Sequence, residues 1–361
     1  MHNGSMAKRG LTGNEKRVLY GLVRHPVLND RELSELLNVK VSTVTAIRRR
    51  LRRADYFVTR RIPMMNRLGW ELLVAGHARL DLTQGPQIVP RLREALKDRL
   101  PGLFHVAASA DHLSFLGFAR DFTTARAEVD ELRQTLDHGR LLAGGDVHLS
   151  AFPMGLSAAP IFFDYSHALA LAFDIEDRVS PRMERAKVGD VDLTRKETEV
   201  LKGLVRYPEL SDKALASRVK VSRQAVSKMR REFEGEGLLR TARVPNLRLL
   251  GFDLYVTAFA RFAPASTLKA RAEAFERLLR ASPTFLLVSD ESEAVVIGAA
   301  RTYEQFMTLR SALTKHFEER AHLLGDPTIY VGLTNTTDIL RNCEFAPLVQ
   351  GVMPPELKSP R

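Results

Sequence analysis

Residues Val18–Pro26 read VLYGLVRHP, and residues Val200–Pro208 read VLKGLVRYP. Residues Leu11–Leu80 align without gaps with Leu193–Phe262, and the likeness continues at almost the same offset as far as Gly144 and Gly325. Solenoid and propeller repeats have periods of about 20–50 residues, which is far shorter than the separation between Val18 and Val200. The chain of 361 residues is therefore predicted to be a tandem duplication of a unit that itself holds two domains.

The first part of each unit is predicted to be a winged helix-turn-helix domain. Apolar residues at helical spacing indicate one helix that ends at Pro26, a second that begins at Asn29-Asp30, and a third after a short turn. In the second copy Ser222 is the expected N-cap of the third helix. Tyr56–Pro63 and Leu238–Pro245 are each predicted to form two short strands with a basic tip, which is the wing.

The second part of each unit alternates strands and helices in the order βαββαβ, which is typical of a ferredoxin-like domain. The predicted strands lie at 72–80, 103–108, 113–119 and 147–152 in the first copy and at 254–262, 284–289, 294–299 and 328–333 in the second. The predicted helices lie at 88–100, 124–136, 268–280 and 303–317. The predicted fold class is therefore α+β.

The predicted domain boundaries follow from this alternation. They are winged helix 11–71, ferredoxin-like domain 72–152, arm and linker 153–192, winged helix 193–253, ferredoxin-like domain 254–334 and C-terminal arm 335–361. Each arm carries an acidic-aromatic segment, which predicts either docking on a neighbouring domain or subunit or a tail that closes the core.

The basic charge lies on the predicted third helices and wings. The chain has 54 Lys and Arg against 43 acidic residues, a net charge of +11. Residues Lys40–Arg61 carry eight of the basic residues and one acid, and Lys220–Arg243 carry seven against three. Because these elements meet nucleic acid in winged helices, the charge favours double-stranded DNA as the partner.

The candidate DNA contacts divide into two kinds. Short side chains at the start of the first recognition helix let the backbone approach the groove, and the later arginines suit phosphates. Arg223 and Gln224 have the hydrogen-bonding groups that read guanine and adenine. The candidates are Ser42, Thr43, Ala46, Arg49, Arg50, Arg53, Arg60, Arg61, Arg223, Gln224, Lys228, Arg231, Arg240 and Arg243.

The chain resembles the Lrp/AsnC family of transcriptional regulators, in which a winged helix precedes a βαββαβ domain. The resemblance rests on Leu33–Val39, Arg48–Leu51 and Asn66–Gly69, with Leu215–Val219, Arg230–Leu238 and Leu249–Gly251 in the second copy. It implies a sequence-specific, DNA-binding regulator whose βαββαβ domains pair and sense an effector. Ordinary members carry one copy, so here the two copies are expected to pair within the chain or between chains.

The same resemblance implies a homodimer and a small-molecule effector such as an amino acid. The family's ligand loops correspond to the turns at residues 109–112 and 290–293. The candidate ligand residues are therefore Asp111, His112, Asp290 and Glu293. A plain hairpin turn is the alternative interpretation of both segments.

No catalytic motif supports an enzyme. The sequence has neither a GxxxxGK loop nor an HExxH pair, its histidines are scattered, and Cys343 is its one cysteine. We therefore expect no catalytic residues, no metal and no cofactor. The siroheme decarboxylases share this architecture, and resemblance to them would imply a His-Asn-Tyr-Arg cluster in the central strands. Those strands read His105–Ser109 and Leu286–Ser289, and they lack that set. The alternative function is a small-molecule- or haem-binding or enzymatic protein, similar to the siroheme decarboxylases, whose winged helices do not bind DNA.

The cellular setting is predicted to be the cytoplasm. The chain start lacks the apolar core of a signal peptide. The most apolar region, Ala151–Phe173, is interrupted by prolines and by Asp164 and His167, which argues against a membrane span. A single cysteine also excludes a disulfide framework.

Overall fold

A computed structural model of the chain describes residues 10–353 apart from 98, 145, 178–182 and 321, and it describes no side chain for 317–320. The first winged-helix domain has three helices. They are α1 (Gly13–Arg24), α2 (Asp30–Leu37) and α3 (Val41–Arg53). Thr12 and Glu15 form a capping box at the start of α1, and Asn29 caps α2 in the same way with Glu32. These side chains satisfy backbone N–H groups that a helix start leaves without partners.

A βαββαβ domain and an arm follow the first winged helix. Its elements are β1 (Phe57–Pro63) at the junction, then β2 (Leu72–Arg79), α4 (Ile88–Ala95), β3 (Leu103–Ala108), β4 (His112–Ala119), α5 (Phe122–His138) and β5 (His148–Pro153). The arm adds β6 (Ala158–Phe162) and α6 (Ser166–Phe173).

The second repeat has the same element order. Its elements are α7 (Arg195–Arg206), α8 (Asp212–Val219), α9 (Arg223–Gly235), β7 (Leu239–Pro245), β8 (Leu254–Arg261), α10 (Leu268–Ala281), β9 (Thr284–Ser289), β10 (Glu293–Ala300), α11 (Tyr303–Arg320), β11 (Thr328–Leu333), β12 (Asp338–Arg341) and α12 (Ala346–Gln350). The duplicated α+β fold class is confirmed.

Helix α4 is shorter than its predicted span of 88–100. It ends at Ala95, and Leu100 adopts a left-handed backbone with φ of 52°. Residue Pro101 follows, and the residue before a proline is disfavoured in helical conformation. The apolar spacing continues beyond the helix because Leu96 and Leu100 are still buried against the sheet.

The predicted wings are wrong in their pairing. Each basic segment forms one strand rather than a two-stranded hairpin, and the two strands, β1 and β7, pair antiparallel with each other. Phe57 lies opposite Pro245, and Pro63 lies opposite Leu239. Each strand thus finds its pairing partner in the other repeat, and the resulting two-stranded ribbon joins the two winged helices.

The two large sheets exchange strands through the arms. The strand orders are β12-β3-β4-β2-β5 and β11-β8-β10-β9-β6. Strand β12 of the second arm pairs with β3 of the first repeat, and β6 of the first arm pairs with β9 of the second. Helices α6 and α12 then return to α1 and α7 of their own repeats. The strand of each arm therefore docks on the opposite repeat, while its helix packs on the winged helix of its own repeat.

The two sheets pack face to face within the chain. Their inner faces share one core, in which Phe104 on β3 stacks on Phe345 of the second arm with ring centroids 4.4 Å apart. The outer faces are covered by α4 and α5 in one repeat and by α10 and α11 in the other. No helix among the described residues is long and apolar enough to cross a membrane.

Candidate functional site

The outer face of α3 presents part of the predicted DNA-contact set to solvent. Ser42, Ala46, Arg49 and Arg53 are exposed, and Thr43 is half-buried. Arg50, another of the predicted contacts, forms an intramolecular ion pair with Glu15. Two more arginines of α3 do the same, Arg48 with Asp30 and Arg52 with Glu209 of the second repeat. Part of the basic charge that was attributed to DNA binding therefore balances acids of the fold.

The outer face of α9 carries the other exposed candidates. Arg223, Gln224, Lys228 and Arg231 are all exposed, and Lys228 lies 3.6 Å from Glu232 in the next turn. Ser222 caps this helix by accepting from the N–H of Ala225, as expected. This cap fixes the position of the first turn, where Arg223 and Gln224 lie.

The four arginines assigned to wing tips lie in the β1–β7 ribbon instead, and all four are partly buried. Arg60 donates to the carbonyl of Asn342 at 2.8 Å, Arg243 donates to that of Leu22 at 2.6 Å, and Arg240 donates to that of Phe162. Burial lowers the pKa of Arg61 and lowers that of Arg243 to about 10. The expectation of a projecting basic tip is therefore wrong, since these side chains hold the repeats together.

A cluster of aromatic and titratable side chains lies where the two sheets meet at one edge. We define the inter-sheet cluster as His77, Asp111, His112 and His148 of the first repeat and Tyr330 of the second. The Tyr330 hydroxyl and Nδ1 of His77 are hydrogen-bonded at 2.9 Å. The ring of His77 stacks on His148 with centroids 4.7 Å apart, and the ring of His112 stacks on Tyr330 at 4.8 Å. Strands from both repeats are thus needed to build the cluster.

Within the cluster, His112 is held by a short polar network. Its Nδ1 lies 2.8 Å from Oδ1 of Asp111 and 2.8 Å from Oγ of Ser109. Burial raises the pKa of Asp111, but hydrogen bonds from Ser109 and His112 outweigh burial and leave it below its usual value. A carboxylate that accepts from one imidazole nitrogen orients the ring and leaves the other nitrogen available for chemistry.

The surroundings of the cluster shift the pKa values of His77 and Tyr330. Burial, together with the neighbouring His148 and His112, lowers the pKa of His77 to about 4, so its imidazole is neutral at pH 7. Burial raises the pKa of Tyr330, although a hydrogen bond with Arg79 opposes the shift. Tyr330 therefore keeps its proton at neutral pH. Both Arg79 and His148 are exposed, which opens the cluster to solvent.

The cluster breaks the symmetry of the duplication. His77 pairs with His148 across β2 and β5, while Phe259 pairs with Thr328 at the corresponding point of the second repeat. His112 corresponds likewise to Glu293, since these residues lie opposite Arg79 and Arg261. The imidazoles of the cluster are confined to one repeat, so they are not part of a packing arrangement that both repeats share.

A second cross-repeat pair lies deeper between the sheets. Nε2 of His105 is hydrogen-bonded to the hydroxyl of Tyr255 at 2.8 Å, and both side chains are buried. Burial lowers the pKa of His105 to about 3. This pair lies in the shared core and contributes to the packing of the two sheets.

The two predicted ligand turns have different surroundings. Asp111 and His112 are part of the inter-sheet cluster, whereas Asp290 accepts from the backbone N–H groups of Ser292 and Glu293 in its own turn. His77, His148 and Tyr330 were not predicted as site residues, because their contacts join strands that are distant in the sequence. The one available signal was that histidines of the first repeat have no histidine counterparts in the second.

No group of three or more His, Cys, Asp or Glu side chains in the described part of the chain is arranged to hold a metal ion. Cys343 is buried, and burial raises its pKa well above its usual value, so the thiolate is disfavoured.

Comparison with solved structures relates the whole chain to one enzyme. The siroheme decarboxylase NirDL matches over 94% of this chain and 97% of its own, with 10% identity and a TM-score of 0.51. Its co-complex with an iron-uroporphyrin III analogue matches over 94% of this chain and 98% of its own, with 11% identity and a TM-score of 0.52. At this identity the likeness establishes a common fold. No family model and no curated relative matches the chain.

Structures of single-copy regulators match only part of the chain. AsnC of E. coli covers 40% of this chain and 93% of its own, with 14% identity and a TM-score of 0.31. The expectation that the chain is not an enzyme is wrong, because the structures that match it from end to end are those of an enzyme.

Proposed function

We propose that the chain is an enzyme that decarboxylates an iron-tetrapyrrole substrate, with the inter-sheet cluster as its active site. The hydrogen bond between Tyr330 and a neutral His77, built from both repeats at a solvent-open edge, carries this proposal. The end-to-end likeness in fold to siroheme decarboxylase NirDL supports the choice of substrate class.

The chemistry of the cluster suits a decarboxylation. Loss of CO2 from a carboxymethyl group leaves an electron pair on carbon, and that carbon must take up one proton. Tyr330 keeps its hydroxyl proton at neutral pH and lies beside Arg79. We infer that Arg79 binds the carboxylate of the substrate and that Tyr330 protonates the carbon, after which water at the open edge restores the phenol.

The histidines have separate roles in this proposal. His148 is exposed and stacks on His77, so its ring is the one that the iron of a substrate can reach. His112 is fixed by Asp111 and packs on Tyr330, which makes His112 a positioning residue for the phenol ring. His77 holds the hydroxyl of Tyr330 in place through its hydrogen bond.

Two variants test the assignment with siroheme as the substrate. Tyr330→Phe should lower turnover by roughly a hundredfold or more, because the proton donor is lost, while the Soret spectrum of bound siroheme stays unchanged. His148→Ala should weaken siroheme binding and shift the Soret band. Thr328→Ala changes the residue that corresponds to His148 in the other repeat and serves as the control.

Turnover is measured as the mass change of siroheme that accompanies loss of CO2. Turnover by Tyr330→Phe at the wild-type level would contradict the proposed reaction. A Thr328→Ala variant that loses binding as strongly as His148→Ala would place the iron elsewhere.

A second candidate function is sequence-specific binding of double-stranded DNA by α3 and α9. The exposed outer faces of both helices favour it, with Arg49 and Arg53 on α3 and Arg223 and Gln224 on α9. Phosphate contacts give affinity for any sequence, whereas contacts with base edges distinguish sequences. We propose the first role for the α3 arginines and the second for Arg223 and Gln224.

A salt titration with a selected DNA site and a scrambled one separates these roles. Arg49→Ala should weaken binding to both DNAs and lower the salt slope by about 1. Gln224→Ala should weaken binding to the selected site by roughly five- to a hundredfold and leave the scrambled DNA unaffected. If no DNA is selected from a random pool, this second function is wrong.

An amino-acid effector and a homodimer of the whole chain belong to this second proposal. Asp111 and His112 would then contact the effector, with Asp290 and Glu293 at the corresponding turn. A shift in melting temperature on addition of single amino acids tests the effector. Light scattering tests the homodimer, and a mass equal to one chain would exclude it.

A further inference from the structure

An apolar cavity of about 350 Å³ lies inside the second repeat, on the face of the sheet opposite to the inter-sheet cluster. It is enclosed by β8, β10 and β11 on one side and by α10 and α11 on the other. Its walls are mainly aliphatic, and they include Val256, Ala258, Val296, Leu313 and Ile329. Protein interiors normally hold few voids larger than a water molecule, so a space of this size calls for an explanation.

Comparison of the two repeats shows which substitution opens the space. In the first repeat Gly76 pairs with Phe115, and a Cβ on Gly76 would lie 2.2 Å from Cζ of the Phe115 ring. In the second repeat the corresponding pair is Ala258 and Val296, and both residues line the cavity. The second repeat therefore has an isopropyl group in place of a benzyl group and gains one methyl group on the neighbouring strand, which leaves fewer side-chain carbons at this point.

The covering helix differs in the same region. Helices α5 and α11 begin at corresponding residues, and Val129, which is 6% exposed, corresponds to Arg310. Arg310 is exposed and also lines the cavity. A buried aliphatic position in one repeat has thus become, in the other, an exposed cation that lines the cavity, as the carboxylate of Asp326 also does.

We propose that this cavity binds a small apolar carboxylate, of the class of medium-chain fatty acids. Aliphatic walls favour an alkyl chain, and a dry apolar cavity is readily filled by apolar molecules. The volume lies within the range of small-molecule sites, which is about 300–1,000 Å³. The guanidinium of Arg310 pairs with the carboxylate at the mouth. This site is independent of the decarboxylase proposal, because it lies on the other face of the sheet.

Calorimetric titration of the full chain with decanoate, and with decanol as the uncharged probe, tests the site. Wild-type protein should bind one decanoate per chain. The double variant Val296→Phe/Ala258→Gly restores the residue pair of the first repeat and should weaken binding of both probes at least tenfold. Arg310→Gln should weaken decanoate about three- to fivefold and leave decanol unchanged, as expected for a solvent-exposed ion pair.

The melting temperature without probe shows whether each variant folds. The filled variant should melt at or above the wild-type temperature, because it removes a void. If it fails to fold, Val296→Met, which narrows the cavity with a flexible side chain, replaces it and should still weaken binding. Absence of saturable binding to wild-type protein, or equal binding by a folded filled variant, would overturn the proposal.

Discussion

His105 links the stability of the protein to pH. Its pKa is about 3 in the folded chain because it is buried, against about 6.5 in an unfolded chain. The unfolded state therefore binds more protons below pH 6.5, and stability should fall as the pH drops from about 6.5 towards 3. His77, with a pKa of about 4, acts in the same direction.

We expect His105→Gln to flatten this dependence by up to about 1.4 kcal/mol per pH unit, since glutamine does not titrate. Denaturant unfolding at several values between pH 7 and pH 4.5 measures the slope. His138→Gln, at an exposed position on α5, is the control and should keep the wild-type slope. If the stability of His105→Gln depends on pH as steeply as that of the wild type, folding does not lower the pKa of His105.

Residue roles were predictable from sequence where they are local. Ser222 caps α9 and Asn29 caps α2, because a capping side chain bonds to a backbone only two or three residues away. By contrast, His77 and Tyr330, which are hydrogen-bonded to each other, are 253 positions apart in the sequence. No local pattern specifies such a contact, which depends on how two sheets pack.

At the scale of elements, Arg341 joins β12 of the second arm to the region after α4. Its guanidinium donates to the carbonyls of Leu96, Leu100 and Leu103 at 2.6–2.8 Å and to that of Arg99. Backbone N–H groups already donate to two of them, that of Arg99 to Leu96 at 3.4 Å and that of Leu103 to Leu100 at 3.1 Å, so Arg341 adds charged donors to the turns between α4 and β3. Arg341→Met should lower the free energy of unfolding by about 2–4 kcal/mol, since several charged hydrogen bonds are lost together.

Thermal and denaturant unfolding measure this loss. Arg93→Gln provides a matched control, because Arg93 meets the same arm through an exposed ion pair with Asp338 at 3.4 Å. That change should cost less than about 1 kcal/mol. Equal losses for the two variants would show that the contacts of Arg341 add nothing beyond surface charge.

Most elements could be predicted, but their partners could not. The strands Leu103–Ala108, Thr284–Ser289 and Thr328–Leu333 have their predicted bounds, because an apolar run between turn residues is a local signal. The basic strands β1 and β7 were expected to fold back within their own repeats. Their sequences fit either pairing, and only the second copy in the chain supplies the observed partner.

At the scale of the whole molecule, the exchange of strands makes each repeat depend on the other. Phe104 of β3 is fully buried and contacts Phe345 and Phe163, which belong to the two arms. We therefore expect the chain to unfold in one cooperative transition, in which both repeats lose their structure together. Phe104→Ala should lower the free energy of unfolding by about 3–5 kcal/mol, because it leaves a large cavity at the meeting point of both sheets.

Two probes distinguish the cooperative case from independent repeats. Trp70, the one tryptophan of the chain, reports on the first repeat and on its contact with Gly351 of the second arm, whereas circular dichroism reports on all helices. Both transitions should move together in Phe104→Ala, and Phe122→Ala, which changes a side chain that is 63% exposed, should leave them in place. If tryptophan fluorescence shifts while part of the circular dichroism signal melts at the wild-type midpoint, the repeats fold separately. The inter-sheet cluster would then lack the permanent support that an active site shared by two repeats requires.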